Sequence, residues 1–304
     1  MPTKILSRRK SPLSFIPPRF LPEKLRKTRP LVPVLRLYGP IGMSFPTRGA
    51  LTLAGLAGQI EAAFEAEDAC AVALLVKSPG GAAAQSHLIF RRIRTLAEET
   101  RRPVFAFIED VGASGGYMLA CAADEIFADP ASMVGSIGVV SSGFGLAGLI
   151  EKIGVERRVY TAGSSKAMLD PFLPEREDDI ARLKALQADV HDSFIALVRE
   201  RRGARLVETA EDLFTGAYWT GRRARELGLI DGLDDMRSVM RARFGEEVDL
   251  RLVPDPSRGG LLRRLLPSLA AGAGAHGDAP QGLVDPGHVI GALEAKALWS
   301  RFGL

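Results

Sequence analysis

Histidine and cysteine are scarce in this chain of 304 residues, with four of the first and two of the second. His87, His191, His276 and His288 are scattered and make none of the close pairs that a zinc site requires. Cys70 and Cys121 lie in apolar surroundings and form neither a disulfide framework nor a metal spacing, so both read as buried, reduced thiols of a cytosolic protein. A phosphate-binding P-loop is also missing, and neither ATP nor any other cofactor enters the reading. Nor is there a secretory signal peptide, because the basic start runs into prolines instead of an unbroken apolar stretch. The longest charge-free run, Pro130–Ile150, has the length to cross a bilayer, but five glycines and four serines dilute it. No transmembrane helix is expected.

What is present suits a folded protein with a sizeable core. Apolar residues make up 46% of the chain, enough for one large domain with appendages. The net charge of +4 conceals a division: residues 1–30 carry nine basic side chains against one acid, Glu23, leaving the remainder mildly acidic. Such a basic, proline-dotted arm suits an anionic surface, lipid or nucleic acid, and equally a solubilising tail. Peripheral contact with the inner face of a membrane is the expectation; no nucleic-acid partner is expected.

Residues 31–253 read as the main domain. Strands are expected at Leu31–Tyr38, Ala71–Val76, Val104–Ile108, Glu125–Ala128, Gly135–Val140, Arg157–Tyr160 and Val248–Val253. Helical spacing marks Leu53–Glu67, Gln85–Glu99, a segment ending at Ala123, Leu146–Ile153, Glu175–Arg202, Glu208–Phe214, Gly221–Leu227 and Asp234–Phe244. Strand–turn–helix units repeated in this way argue for an α/β protein with largely parallel strands. Beyond Pro254, Gly, Ala, Pro and Ser dominate, reading as a linker over 254–304 that ends in a short helix near His288–Trp299.

Three pieces of this framework carry chemistry. Gly112-Ala113-Ser114-Gly115-Gly116 sets a serine in a tight strand-to-helix turn, where the Gly115 amide faces outward toward negative charge. Ser78-Pro79-Gly80-Gly81 follows an apolar strand and can present backbone amides to a substrate carbonyl. Lys166 lies in Ala162-Gly163-Ser164-Ser165-Lys166, flanked by Ala167, Met168 and Leu169. A serine hydroxyl needs a base to become a nucleophile. With an ordinary pKa of ~10.4, only about one lysine in 2,500 is neutral at pH 7, so a lysine base needs burial to shed its proton.

Two other patterns compete. Gly143-Phe144-Gly145-Leu146-Ala147-Gly148 matches a dinucleotide fingerprint, but it starts mid-chain and lacks the acid about 20 residues onward. The serine segment also fits the G-x-S-x-G elbow of α/β-hydrolases, for which Asp170 and His191 stand in the right order; His191 reads as solvated on a charged helix. A Ser114–His191–Asp170 esterase therefore stays open, as does a catalytically silent scaffold that binds peptides or membranes.

The ordered set of motifs resembles the signal peptide peptidase A (SppA) family of serine–lysine proteases, in particular its shorter SohB-like members. The matching text is Ser78-Pro79-Gly80-Gly81, Ala113-Ser114-Gly115-Gly116-Tyr117-Met118 and Ala122-Ala123-Asp124. It continues through Val134-Gly135-Ser136-Ile137-Gly138-Val139, Thr161-Ala162-Gly163 with Lys166, and Gly228-Leu229-Ile230-Asp231. The resemblance implies a Clp/crotonase-like spiral of β-β-α units, with Ser114 as nucleophile, Lys166 as general base and Ser136 orienting the lysine. Gly81 and Gly115 become the oxyanion donors, with Gly80 shaping the turn. It further implies hydrophobic peptide substrates such as cleaved signal peptides, and a homo-oligomeric ring in which the lysine can reach a neighbour's serine. Two features depart from the family: an N-terminal membrane anchor is replaced by the basic arm, and Lys77 precedes Ser-Pro-Gly-Gly.

Overall fold

A computed structural model describes residues 29–42, 51–163, 165–207, 213–254 and 296–303. Residues 1–28 of the expected arm over 1–30, and most of the expected C-terminal linker, lie outside the described residues.

The framework is an eight-stranded sheet with helices against it, the α/β class expected. Parallel strands β1 (Leu31–Tyr38), β2 (Val72–Ser78) and β3 (Val104–Ala113) form its centre, and β8 (Asp249–Leu252) adds in parallel beside β1. Beyond β3 the sheet divides. The first half of β3 pairs with β4 (Glu125–Ala128), which pairs with β7 (Gly232–Leu233). Its last residues pair with β5 (Met133–Gly135), which pairs antiparallel with β6 (Tyr218–Thr220).

A bulge makes this division possible. Val76 pairs with Ile108 and Ser78 with Gly112, so β3 carries two more residues than β2 between those pairs. The extra pair, Glu109 and Asp110, is exposed. Bulges bend and twist a strand and re-aim the residues downstream of them; in β3 the residue re-aimed is Ser114.

Helices α1 (Leu53–Glu65), α2 (Ala83–Thr100) and α3 (Gly115–Ala120) pack over β1–β3, each after the strand that its sequence position implies. Thr52 caps α1 by accepting the Gly55 amide. Between these helices and the sheet lies the larger core, including Leu35, Leu37, Ile60, Leu74, Ile89 and Tyr117. The opposite face holds a smaller core of Val34, Ala73, Phe105 and Phe107 under α7 (Met236–Phe244). The remaining helices are α4 (Ala147–Lys152), α5 (Glu177–Arg202) and α6 (Gly221–Glu226).

Two expected strands are corrected. Gly135–Val140 is extended only to Gly135, because Gly135 (φ +111°) and Ser136 (φ +53°) turn the backbone away from strand geometry. Arg157–Tyr160 is exposed and irregular, with no strand beside it among the described residues. Of the expected helix Glu208–Phe214, residues 208–212 lie outside the described set and Leu213–Phe214 form a turn. Residues 296–300 are helical, and Phe302 just beyond is buried against Val111, Ala113 and Met133.

Two of the family motifs prove to be clasps between elements. Asp124 accepts from Arg94, Arg201 and the Val104 amide. Asp231 takes the Arg202 guanidinium at 2.8 and 3.1 Å and the Ile126 amide at 2.7 Å. Both cysteines are free, as expected, but only Cys121 is buried; Cys70 is half-buried. Burial pushes the Cys121 thiol up to about 12 and also raises that of Cys70. Among the described residues no helix is long and apolar enough to cross a membrane, and Pro130–Ile150 is largely irregular.

Candidate active site

At the end of β3 the chain makes a turn at Ser114 that serine seldom adopts, φ +52° and ψ −124°. A positive φ on a residue with a β-carbon costs about 1–2 kcal/mol and persists only where the surroundings enforce it. They do so here. The Ser114 amide donates to the Gly135 carbonyl at 2.8 Å, and its carbonyl accepts the Met118 amide at 3.0 Å. Every residue of α3 is buried. The half-buried Ser114 side chain makes no capping hydrogen bond to α3, which leaves its hydroxyl available.

The Ser-Pro-Gly-Gly turn lies directly against this serine. A β-carbon built on Gly80 would stand 2.8 Å from the Ser114 Cβ and 2.9 Å from the Gly115 nitrogen. At Gly116 a β-carbon would collide with the Ser78 carbonyl oxygen, so β2 and α3 touch through backbone. The amides of the turn divide in use. That of Gly80 donates to Ser78 Oγ at 3.2 Å. The bonds Ile41 N–H to Gly80 O (2.8 Å) and Ala82 N–H to Ile41 O (2.9 Å) straddle Gly81 and leave its amide without a backbone acceptor. The Gly115 amide, first in α3, has no intrahelical acceptor either. Among the described residues, two amides without a backbone acceptor thus flank the serine turn.

Ser136 joins this group. Ala113 pairs with Gly135, which sets Ser114 and Ser136 side by side at the ends of β3 and β5. Ser136 is buried, and its amide donates to the Ala217 carbonyl at 2.6 Å.

Lys166 is not brought in. It is exposed, in a turn where its amide donates to the Gly163 carbonyl at 3.2 Å, and no hydrogen bond links it to Ser114 among the described residues. Its loop presents apolar side chains to solvent, with Phe144 85% and Tyr160 90% exposed, and Val140, Ile153 and Val155 more than half exposed.

The rival constellations separate. His191 is half-buried instead of solvated, and its Nε2 meets the Ile137 carbonyl at 3.1 Å. Asp170 takes the Phe172 amide and Arg157, each at 3.0 Å, and these two hold its carboxyl below the usual range. Acid and histidine are therefore not joined into a triad. A β-carbon placed on Gly143, Gly145 or Gly148 would meet nothing within 4 Å, so the close backbone approach that a dinucleotide fingerprint needs is absent there. Among the described residues no group of His, Cys, Asp or Glu could hold a metal.

Some contributors escape a reading of the residues alone. Buried Ser78 shapes the glycine turn by accepting the Gly80 amide, a local serine-to-backbone bond that the Ser-Pro-Gly pattern could have signalled. Ser132 hydrogen-bonds the Ile108 carbonyl at 3.1 Å and also that of Glu109, pinning the β3 bulge. Lys77 pairs with Asp110 across that bulge. Only the strand pairing reveals these two roles.

Comparison with known proteins defines the class: a family model for peptidase family S49 matches residues 97–250, half of the chain, and the protein belongs to that family. The expected kinship with SppA-type proteases is thereby borne out. Over 97% of its length the chain is 51% identical to a Brucella abortus protein named Na(+)/H(+) antiporter NhaA, of which it spans 40%. Over 71% of its length it is 33% identical to the chloroplastic serine protease SPPA of Arabidopsis thaliana, of which it spans 32%. The chain thus covers well under half of either relative. Among solved structures, a 1510-N membrane-bound stomatin-specific protease aligns with 75% of the chain at 16% identity and a TM-score of 0.47. A likeness of that degree adds nothing to the fold, which rests on the strand pairings above.

Proposed function

We propose that this protein is an ATP-independent serine endopeptidase of family S49 that cleaves hydrophobic peptides, remnants of signal peptides among them. The observation that carries the reading is the Ser114 turn. A serine is held at φ +52° between β3 and α3, with Gly80 pressed against it and the Gly81 and Gly115 amides unspent. In the proposed cycle Lys166, uncharged, takes the Ser114 proton as Oγ attacks the peptide carbonyl. The Gly81 and Gly115 amides bind the tetrahedral oxyanion, Gly80 keeps the turn open, and Ser136 orients the lysine. The lysine ammonium then gives its proton to the leaving amine, and water releases the acyl group from Ser114.

Lysine can act this way only where something desolvates it. The exposed apolar loop around Lys166 supports completion of the site by a second copy, in a ring where this loop is covered. Contact of residues 1–30 with anionic lipid is proposed on their charge alone; unchanged liposome binding after neutralising these residues would dismiss it.

The test is cleavage of a peptide library by the assembled protein, read by mass spectrometry. Ser114→Ala and Lys166→Ala should each lower kcat on the order of a thousandfold or more while the fold stays intact. Full turnover in Lys166→Ala removes lysine from the mechanism. Inactivity of the wild type, with Ser114 unlabelled by a fluorophosphonate, favours the silent scaffold.

A further inference from the structure

On the sheet face covered by α7, beside the middle of β3, lies a chamber of about 820 Å³ that the proposed hydrolytic chemistry does not use. That volume falls within the range typical of small-ligand and peptide side-chain sites, about 300–1,000 Å³. Its floor is apolar, built from Leu75 of β2, Phe107 of β3, Met133 of β5 and Phe302. Five exposed carboxylates, Glu109, Asp110, Asp129, Asp234 and Asp235, line its rim, and among the described residues Arg237 is the one lining cation.

Three of the five are engaged within the chain. Glu109 hydrogen-bonds the Tyr38 phenol, Asp110 pairs with Lys77, and Asp235 caps α7 through the Arg237 and Ser238 amides. Asp129 and Asp234 each accept a single neighbouring amide, from Ala131 and Asp235, and keep lone pairs for something else. An apolar floor under an acidic rim fits a side chain with an aliphatic stem and a cationic head, lysine or arginine, within an apolar peptide.

Position connects the chamber to the chemistry. From Asp110 on the rim, β3 reaches Ser114 in four residues, and from Met133 on the floor β5 reaches Gly135, whose carbonyl takes the Ser114 amide. Four extended residues span about 13 Å, so an extended peptide with its scissile bond at Ser114 reaches the rim about four residues away. The chain's own basic arm has similar chemistry, but it joins the sheet at Arg29, just before β1, whereas the chamber is lined by the middle of β2 and β3, at Leu75 and at residues 107–110.

We propose that this chamber is a specificity subsite that takes a lysine or arginine about four residues from the bond that Ser114 cleaves. The subsite rests on the peptidase reading above, and its test separates the two. Three fluorescent apolar peptides, alike except for Lys, Ala or Glu four residues from the centre, are titrated against full-length Ser114→Ala protein at low and high salt, and offered to the wild type for cleavage. The Lys peptide should bind about tenfold more tightly than the Glu peptide, with the preference shrinking as salt rises. Asp129→Asn with Asp234→Asn should erase the preference while leaving affinity for the Ala peptide unchanged.

Equal binding of the Lys and Glu peptides, or a preference that survives the double substitution, overturns the subsite. Cleavage of all three peptides with equal kcat/KM overturns it while sparing the peptidase reading. A Lys preference in binding with no cleavage of any peptide overturns the peptidase reading, and the subsite's part in hydrolysis with it. A full-length variant with Arg8, Arg9 and Lys10 changed to Gln tests the arm: at least tenfold tighter binding of the Lys peptide to that variant would make the arm the occupant and overturn the assignment.

Discussion

The serine turn and the lysine loop carry the two halves of one proposed reaction, yet they are built in opposite ways. Around Ser114 the backbone is over-determined: β2, β3, β5 and α3 meet through main-chain contacts, and Gly80 and Gly116 leave no room for a β-carbon. Around Lys166 the chain turns on itself with few tertiary contacts, and Phe144 and Tyr160 face solvent almost wholly. The first half is finished by its own sequence. The second has apolar surface to bury, and nothing among the described residues buries it, which is the observation behind the proposed ring.

The sharpest way to break this contrast is to loosen the rigid half. Helix α5 is locked to the core where Arg202, its side chain 2% exposed, meets Asp231, and where Arg201 donates to the Cys121 carbonyl at 2.9 Å. Arg202→Ala removes a buried guanidinium and leaves the partly buried Asp231 with only Arg205 and the Ile126 amide, and should cost about 3 kcal/mol in urea denaturation. A loss under about 1 kcal/mol would mean that water already reaches the pair, and that the Ser114 side is less rigid than its contacts imply. Next in size is a pair of glycine changes. Gly116→Ala pushes a methyl group into the Ser78 carbonyl and should cost about 1–3 kcal/mol. Gly145→Ala meets nothing within 4 Å and should stay within about 0.5 kcal/mol. Equal effects would erase the distinction between the halves.

A third substitution addresses assembly. Phe144→Ser with Tyr160→Ser should leave monomer stability unchanged, since both side chains are exposed. It should weaken self-association by about tenfold, read by sedimentation velocity across a concentration series. Unchanged association would place the contact between copies elsewhere and remove the support that this loop gives to a ring.

The same division explains what could be read from residues alone. Strands β1 to β4 and their helices announce themselves through apolar runs and glycine punctuation, because each is settled by local pattern and burial. Ser114, Gly80, Gly81 and Gly115 were legible for the same reason: a tight turn beside backbone requires glycine, and glycine is visible in sequence. The failures fall where long-range contacts or unusual backbone angles decide. Arg157–Tyr160 ends in the β-branched and aromatic residues of a strand, but pairing is a long-range event, and no neighbour among the described residues offers it an edge. Gly135–Val140 misled for a different cause, since the positive φ at Ser136 cannot be inferred from a serine. The acidic chamber was invisible because Asp129 and Asp234 lie 105 positions apart and meet only through the β4–β7 pairing.

The smallest effect concerns an ion pair of the lysine loop, Arg157 with Asp170. The Phe172 amide and then Arg157 stabilise the charged carboxylate, holding its pKa below the ordinary range. A depressed folded-state pKa means that the interaction is fully present at neutral pH and fades only as pH falls through that lowered value. A carbon-13 NMR titration of Asp170 should therefore give a midpoint below the ordinary ~3.9, and Arg157→Gln should move it back upward without reaching that value, because the Phe172 amide remains. Since the pair holds an exposed loop and not the core, Arg157→Gln should leave the unfolding midpoint in urea unchanged while trypsin cuts at Arg158 a few-fold faster. An Asp170 titration midpoint and a cleavage rate at Arg158 that both stay put in Arg157→Gln would show that the loop's order owes nothing to this ion pair.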